Sequence, residues 1–77
     1  SIKLSTKEAH LFKLMFENFN NLVSRKQLMQ DIWGNTDVYT SKSLDVYLSK
    51  MRRIIEHETN FEILNEHGVG YKMISKN

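Results

Sequence analysis

The segment from Thr40 to Glu58 constrains this chain more than any other. With Leu44 set at zero and about 100° of turn per residue, Leu48, Met51 and Ile55 fall within about 40° of it. Tyr47 and Ile54 widen that arc on one side. A strand repeats every second residue and cannot produce this pattern. The segment therefore reads as a long helix with one face committed to a core. The rest of the chain must supply the other side of that core.

Seventy-seven residues allow one small domain. A chain of this size buries only about 60% of the surface its unfolded form exposes, which leaves room for one compact core and no deep catalytic cavity. Cysteine is absent, so disulfides and thiolate metal sites are excluded. No apolar run approaches the roughly 20 residues of a membrane span. The opening Ser1-Ile2-Lys3-Leu4 has no apolar run behind a basic start, so no signal peptide is expected. The first residue is not Met, and the chain is expected to be a piece of a longer protein.

Two more helices precede the long one. The first is expected from Thr6 to Asn18, opened by the capping box Ser5-Thr6-Lys7-Glu8. Leu11, Phe12, Leu14, Met15, Phe16 and Phe19 give it a wide apolar arc that reads as core packing. Asn18, Asn20 and Asn21 then mark a loop. The second helix is expected from Arg25 to Trp33, after a second capping box, Ser24-Arg25-Lys26-Gln27. Leu28, Met29, Ile32 and Trp33 form its buried stripe, and Gly34 stops it. A loop through Asn35-Thr36-Asp37-Val38-Tyr39 leads to the third helix, which is expected to start near Thr40–Ser43.

The end of the chain alternates as strands do. Phe61 and Ile63 alternate with polar neighbours, as do Tyr71 and Met73, and the Gly68/Gly70 pair between them suggests a tight hairpin tip. Residues 1–4 suggest a further short strand. The expected fold class is α+β, mainly α: a winged helix-turn-helix of three helices and a C-terminal β-hairpin wing over residues 61–75.

Charge is distributed unevenly within a small net value of +2, from 11 basic and 9 acidic residues. From Lys42 to Arg53, the four basic residues Lys42, Lys50, Arg52 and Arg53 outweigh the single acid Asp45. Glu56, Glu58, Glu62 and Glu66 follow with no Lys or Arg among them. Such a pairing of patches marks an oriented surface. On the helical wheel Lys42, Val46, Ser49 and Arg53 cluster about 140–200° from Leu44, opposite the core, with Lys50 near 240° beside Ser43. Long cations reach phosphates and guanine edges, hydroxyls bond to either, and a small apolar group meets the thymine methyl. The plain alternative is a solvated charged face. Val46 argues against it, because a solvated face has no use for an exposed valine.

The hairpin tip is the second candidate element. Beside a groove-reading helix, His67 and Lys72 could respond to the negative potential of a minor groove. His10, His57 and His67 have no ligand-like spacing, so no metal is expected. His57 suits the negative end of the third helix. No nucleophile elbow or glycine-rich phosphate loop appears, so neither an enzyme nor a cofactor is expected.

Several blocks now stand in a recognisable order: Leu4-Ser5-Thr6-Lys7-Glu8, Val23-Ser24-Arg25-Lys26-Gln27-Leu28, Ile32-Trp33-Gly34, Ser43 to Arg53, and Gly68-Val69-Gly70-Tyr71. In order and spacing they resemble the OmpR/PhoB family of bacterial response regulators, over nearly the whole chain. The resemblance implies a cytoplasmic two-component (phosphorelay) transcription regulator. Its C-terminal effector domain would follow a receiver domain that this chain lacks. It implies an N-terminal four-stranded sheet of which only a last strand, about Ile2–Leu4, could be present, and hence weaker stability than a full domain. It implies double-stranded DNA with promoter direct repeats as the partner. The full-length protein would dimerise on DNA, and the isolated domain would be a monomer.

The family's DNA contacts carry over unevenly. Lys42, Ser43, Asp45 and Val46 match the start of the reading helix, and Arg52 matches the Arg after its late Leu. Tyr47 replaces a histidine, Ser49 replaces the first of two basic residues, and Lys50 is the second. His67 stands where a wing Arg often stands, with Glu66 beside it. Base edges are expected to meet Lys50, Val46 and Ser43. Phosphates are expected to meet Lys42, Arg52, Arg53 and Ser24 or Arg25. Tyr47, Ser49, His67 and Tyr71 complete the DNA-facing set. Asn35, Thr36 and Asp37 match a loop that often touches RNA polymerase in the family. A competing reading is a winged-helix protein-interaction module that docks through Glu56–Glu66.

Overall fold

A computed structural model describes residues 3–77. Its elements run α1 (Thr6–Glu17), β1 (Leu22–Ser24), α2 (Arg25–Trp33), α3 (Val38–Glu58), β2 (Phe61–Glu66) and β3 (Gly70–Ser75). Three helices pack on one antiparallel sheet of order β1-β3-β2. The expected winged helix is present, with a third strand that the sequence did not announce. Of the N-terminal strand expected at Ile2–Leu4, Ile2 lies outside the described residues, and Lys3 and Leu4 belong to no strand.

Helix α1 starts on the expected capping box. The Glu8 N–H donates to Ser5 Oγ at 3.2 Å, and the Ser5 N–H donates to Glu8 Oε1 at 2.8 Å. The helix stops one residue early, because Asn18 serves as its C-cap and its side-chain amide donates to the Leu14 carbonyl at 2.8 Å. Asn20 then takes a left-handed φ of 69°, a conformation Asn tolerates better than most residues. Its N–H donates to the Met73 carbonyl at 2.8 Å and ties the turn to β3.

Strand β1 pairs with β3 through Leu22↔Lys72, Val23↔Tyr71 and Ser24↔Gly70. The last pairing explains Gly70. A Cβ there would stand 2.1 Å from the Val23 carbonyl oxygen, which belongs to a neighbouring backbone and cannot swing aside. Gly68 serves a different need. The Val69 N–H donates to the Glu66 carbonyl at 2.9 Å, and Gly68 supplies the φ of 76° that a type II turn requires at its third residue.

The second capping box is half present: Ser24 Oγ accepts the Gln27 N–H at 3.0 Å, and no return bond from Gln27 accompanies it. Helix α2 ends as expected at Gly34, whose φ of 77° is left-handed. Helix α3 begins at Val38, ahead of the expected Thr40–Ser43. Its N-cap is Asp37, whose Oδ1 accepts the Thr40 N–H at 2.9 Å. Thr40 is therefore buried, and its hydroxyl donates to Asn35 Oδ1.

The core draws on the expected helical stripes and adds Val23 of the unannounced strand. Leu11 and Met15 from α1, Leu28, Met29 and Ile32 from α2, and Leu44, Leu48, Met51 and Ile55 from α3 meet Val23, Ile63, Tyr71 and Met73 of the sheet. Phe16 and Trp33 sit at its margin. Phe16 is 42% exposed, with its ring edge-on to Phe61, and Trp33 is half-buried. Among the described residues no helix is long and apolar enough to cross a membrane.

Candidate nucleic-acid interface

One guanidinium ties α3 to α2 and the sheet, beside the core packing of Leu44, Leu48, Met51 and Ile55. Arg25, the first residue of α2, donates from Nη1 to Asp45 Oδ1 at 2.7 Å and to the Tyr71 hydroxyl at 2.8 Å. Its Nη2 donates to the Ser41 carbonyl at 3.0 Å and to Ser41 Oγ at 2.7 Å. One side chain thus joins α2, α3 and β3. Burial alone would lower its pKa, but Asp45 and Tyr71 more than offset that and hold it above its ordinary value. Arg25 stays charged at any working pH. The guanidinium expected to meet a phosphate is thus engaged by the protein's own groups, with its side chain 32% exposed. Tyr71, expected in the DNA-facing set, is 7% exposed, in the core, and its hydroxyl accepts from Arg25.

The outer face of α3 assembles as expected. Lys42, Val46, Ser49 and Arg53 are all exposed. Among the described residues neither Lys42 nor Arg53 makes an ion pair. Arg52 lies toward the sheet and lines an open groove of about 250 Å³ together with Asp45, Ser49, Asn65 and Tyr71. A groove with a cation on one wall and the wing strand on the other lies open along the edge of α3.

The opposite flank of α3 differs from the expectation. Lys50 was expected at a base edge, but its Nζ sits 2.7 Å from Glu8 Oε2 on α1. The Lys50 hydrogen bond, helped by the Ser5 N–H, holds the Glu8 carboxyl below the usual carboxylate range. Tyr47 is half-buried, with its ring 5.2 Å from that of Trp33 at 51°. Ser43 is half-buried on the same side. The wheel position near 240° thus belongs to the contact with α1, and the free face is narrower than expected.

The remaining candidates divide by what their side chains already do. Ser24 is exposed, but its Oγ caps α2. Asn35 Oδ1 accepts the Asp37 N–H at 3.2 Å as well as the Thr40 hydroxyl, and Asp37 caps α3. These two residues build the turn, which leaves Thr36 as the exposed member of the trio without such a bond. His67 is exposed at the hairpin tip, whereas Lys72 pairs with Leu22 and Leu64 in mid-sheet and is not at the tip. Sequence reasoning missed Tyr39. The sequence pattern puts it in a loop, but it lies in the first turn of α3 and is 78% exposed. Asp37, itself a good cap residue, was the available signal.

A helix-turn-helix whose second helix carries a cation-bearing outer face, flanked by a hairpin, defines a winged-helix DNA-binding domain. Residues 1–73 match the model of the family described as "Transcriptional regulatory protein, C terminal", and the chain belongs to that family, the OmpR/PhoB type. The family is one of transcription regulators, not of enzymes, and its partner is DNA. The chain is similar to the transcriptional regulatory protein RprY of Bacteroides fragilis, with 36% identity over 95% of this chain and 31% of that one. It is similar to the sensory transduction protein RegX3 of Mycolicibacterium smegmatis, with 31% identity over 94% of this chain and 32% of that one. The crystal structure of the DNA-binding domain of Bacillus subtilis CssR superposes with a TM-score of 0.77 at 25% identity, covering 94% of this chain and 78% of that chain. The chain spans about a third of the length of the curated relatives.

Proposed function

We propose that this chain reads a specific duplex DNA sequence as the effector domain of a two-component response regulator in the bacterial cytoplasm. The outer face of α3 enters the major groove and the hairpin lies beside the adjacent minor groove. The observation that carries this is the exposed stripe of Lys42, Val46, Ser49 and Arg53 on one long helix, with both cations free of ion pairs among the described residues. Val46 and Ser49 meet base edges. Lys42, Arg52 and Arg53 meet phosphates, while Ser43 and Tyr47 border the contact from the α1 side. Lys50 joins only if it leaves Glu8, and His67 makes the wing contact.

In the parent protein two such domains bind direct repeats about one helical turn apart, and the turn around Thr36 faces RNA polymerase. The experiment is a mobility-shift assay on promoter fragments of the parent organism at two salt concentrations. A retarded band that outcompetes unrelated DNA and weakens steeply with salt is expected. Behaviour indifferent to both DNA and salt would overturn the reading and favour a protein-docking role.

A further inference from the structure

We infer that Tyr39 is a DNA-contacting, specificity-determining residue of α3. This rests on the DNA-reading role of the α3 outer face. Because α3 begins at Val38, its first turn projects beyond Lys42 and extends the outer stripe toward the N-terminus. Tyr39 precedes Val46 by seven residues, which at about 100° each puts it within roughly 20° of Val46 on the wheel. It therefore continues the stripe of Lys42, Val46 and Arg53, about 10 Å along the axis from Val46.

Its exposure points to the same role. Tyr39 is 78% exposed and Val46 is 67% exposed, the two highest values among the large hydrophobic side chains of the described residues. Both lie on the outer face of α3 with Lys42 and Arg53, neither of which makes an ion pair among the described residues. By contrast the helix's other tyrosine, Tyr47, is half-buried against Trp33. An aromatic ring left in water beside lysine does nothing for the core. In a groove it supplies an apolar surface for a thymine methyl or a deoxyribose, and a hydroxyl that donates to a phosphate or base-edge oxygen. The N-terminal residues of a helix-turn-helix recognition helix are those that meet base edges, and here they include Tyr39.

The test is selection of binding sites by the 77-residue chain from a randomised duplex library, with wild type, Tyr39→Ala and Tyr39→Phe in parallel. Thermal melts should coincide, since the side chain is outside the core. Tyr39→Ala should bind the wild-type consensus about tenfold more weakly and lose preference at one end of the site. Tyr39→Phe should keep that preference and lose only the hydroxyl's smaller share. If wild type selects a consensus and Tyr39→Ala selects the same one with equal affinity, Tyr39 faces a protein or solvent, and this inference fails alone. If wild type enriches no sequence and is not retained by DNA at low salt, the DNA-reading role fails and this inference falls with it.

Discussion

The cations around α3 are held in opposite ways on its two sides. Toward α2 and the sheet, Arg25 makes four hydrogen bonds to Ser41, Asp45 and Tyr71. On the outer face Lys42 and Arg53 are exposed and, among the described residues, without ion pairs. Ser41 and Asp45 lie only about 100° or less around the helix from Lys42 and Ser49. The same charge has a different job on each side. On the inner flank it ties the helix to α2 and β3. On the outer face it is left for a partner, and its hydration has not been traded for any internal bond. A cation in a DNA-binding sequence is therefore not by itself a DNA contact.

The largest effect expected from this contrast is that of Arg25→Ala. It leaves Asp45 and the Tyr71 hydroxyl without their partner and removes the link between three elements. Asp45 is well exposed, so the ion pair itself contributes modestly. The bonds to Ser41 and Tyr71 are part-buried, and the total loss should be about 2 kcal/mol, read from urea unfolding. DNA affinity should fall for every sequence alike, since the helix is misplaced rather than stripped of a contact. Tyr71→Phe should lose about half as much, because the ring stays in the core and one bond goes. A stable Arg25→Ala protein with a weaker salt dependence would break the contrast, since it would make Arg25 a phosphate contact.

Arg53→Ala should do the reverse. Stability should stay within about 0.5 kcal/mol, as for a surface substitution away from any special feature. Affinity should fall across sequences, and the slope of log affinity against log salt should lose about one unit. A change in base preference instead would move Arg53 from phosphate to base edge.

The sequence was informative where one helix dictates its own pattern and silent where two elements meet. The core face of α3 and the Ser5–Glu8 box follow from local spacing, and both are present. Strand β1 was hidden because it is three residues long with only Val23 buried, too short to show alternation. The start of α3 was misplaced because Val38 and Tyr39 are exposed and do not join the apolar period, although Asp37 caps them. The roles of Arg25 and Lys50 could not be read from the sequence at all. Their partners stand 16 or more residues away for Arg25, and on a different helix for Lys50. The outer face, by contrast, was legible because the period of one helix fixes it, and its residues are exposed.

Lys50 is the intermediate case, and it gives the smallest expected effect. Its pair with Glu8 leaves the lysine side chain 45% exposed, so it is tethered but not buried. Glu8→Gln keeps an oxygen for the Ser5 N–H and removes the charge that holds Lys50. The freed ammonium should raise affinity for unselected DNA and steepen the salt slope by less than one unit, as a single added cation contributes. The pH dependence has a definite sign. The folded state holds the Glu8 carboxyl below its ordinary range. Its stabilisation is therefore present at neutral pH and is lost as pH falls below that range, through the folded value. Wild type should melt slightly above Glu8→Gln at neutral pH, and the two should converge in acid. If the gap between the melts stays constant down to strongly acidic pH, the charge on Glu8 does not hold Lys50. Lys50 would then belong with Lys42 and Arg53 on the free face, and the boundary between tethered and free cations would move one position around the helix.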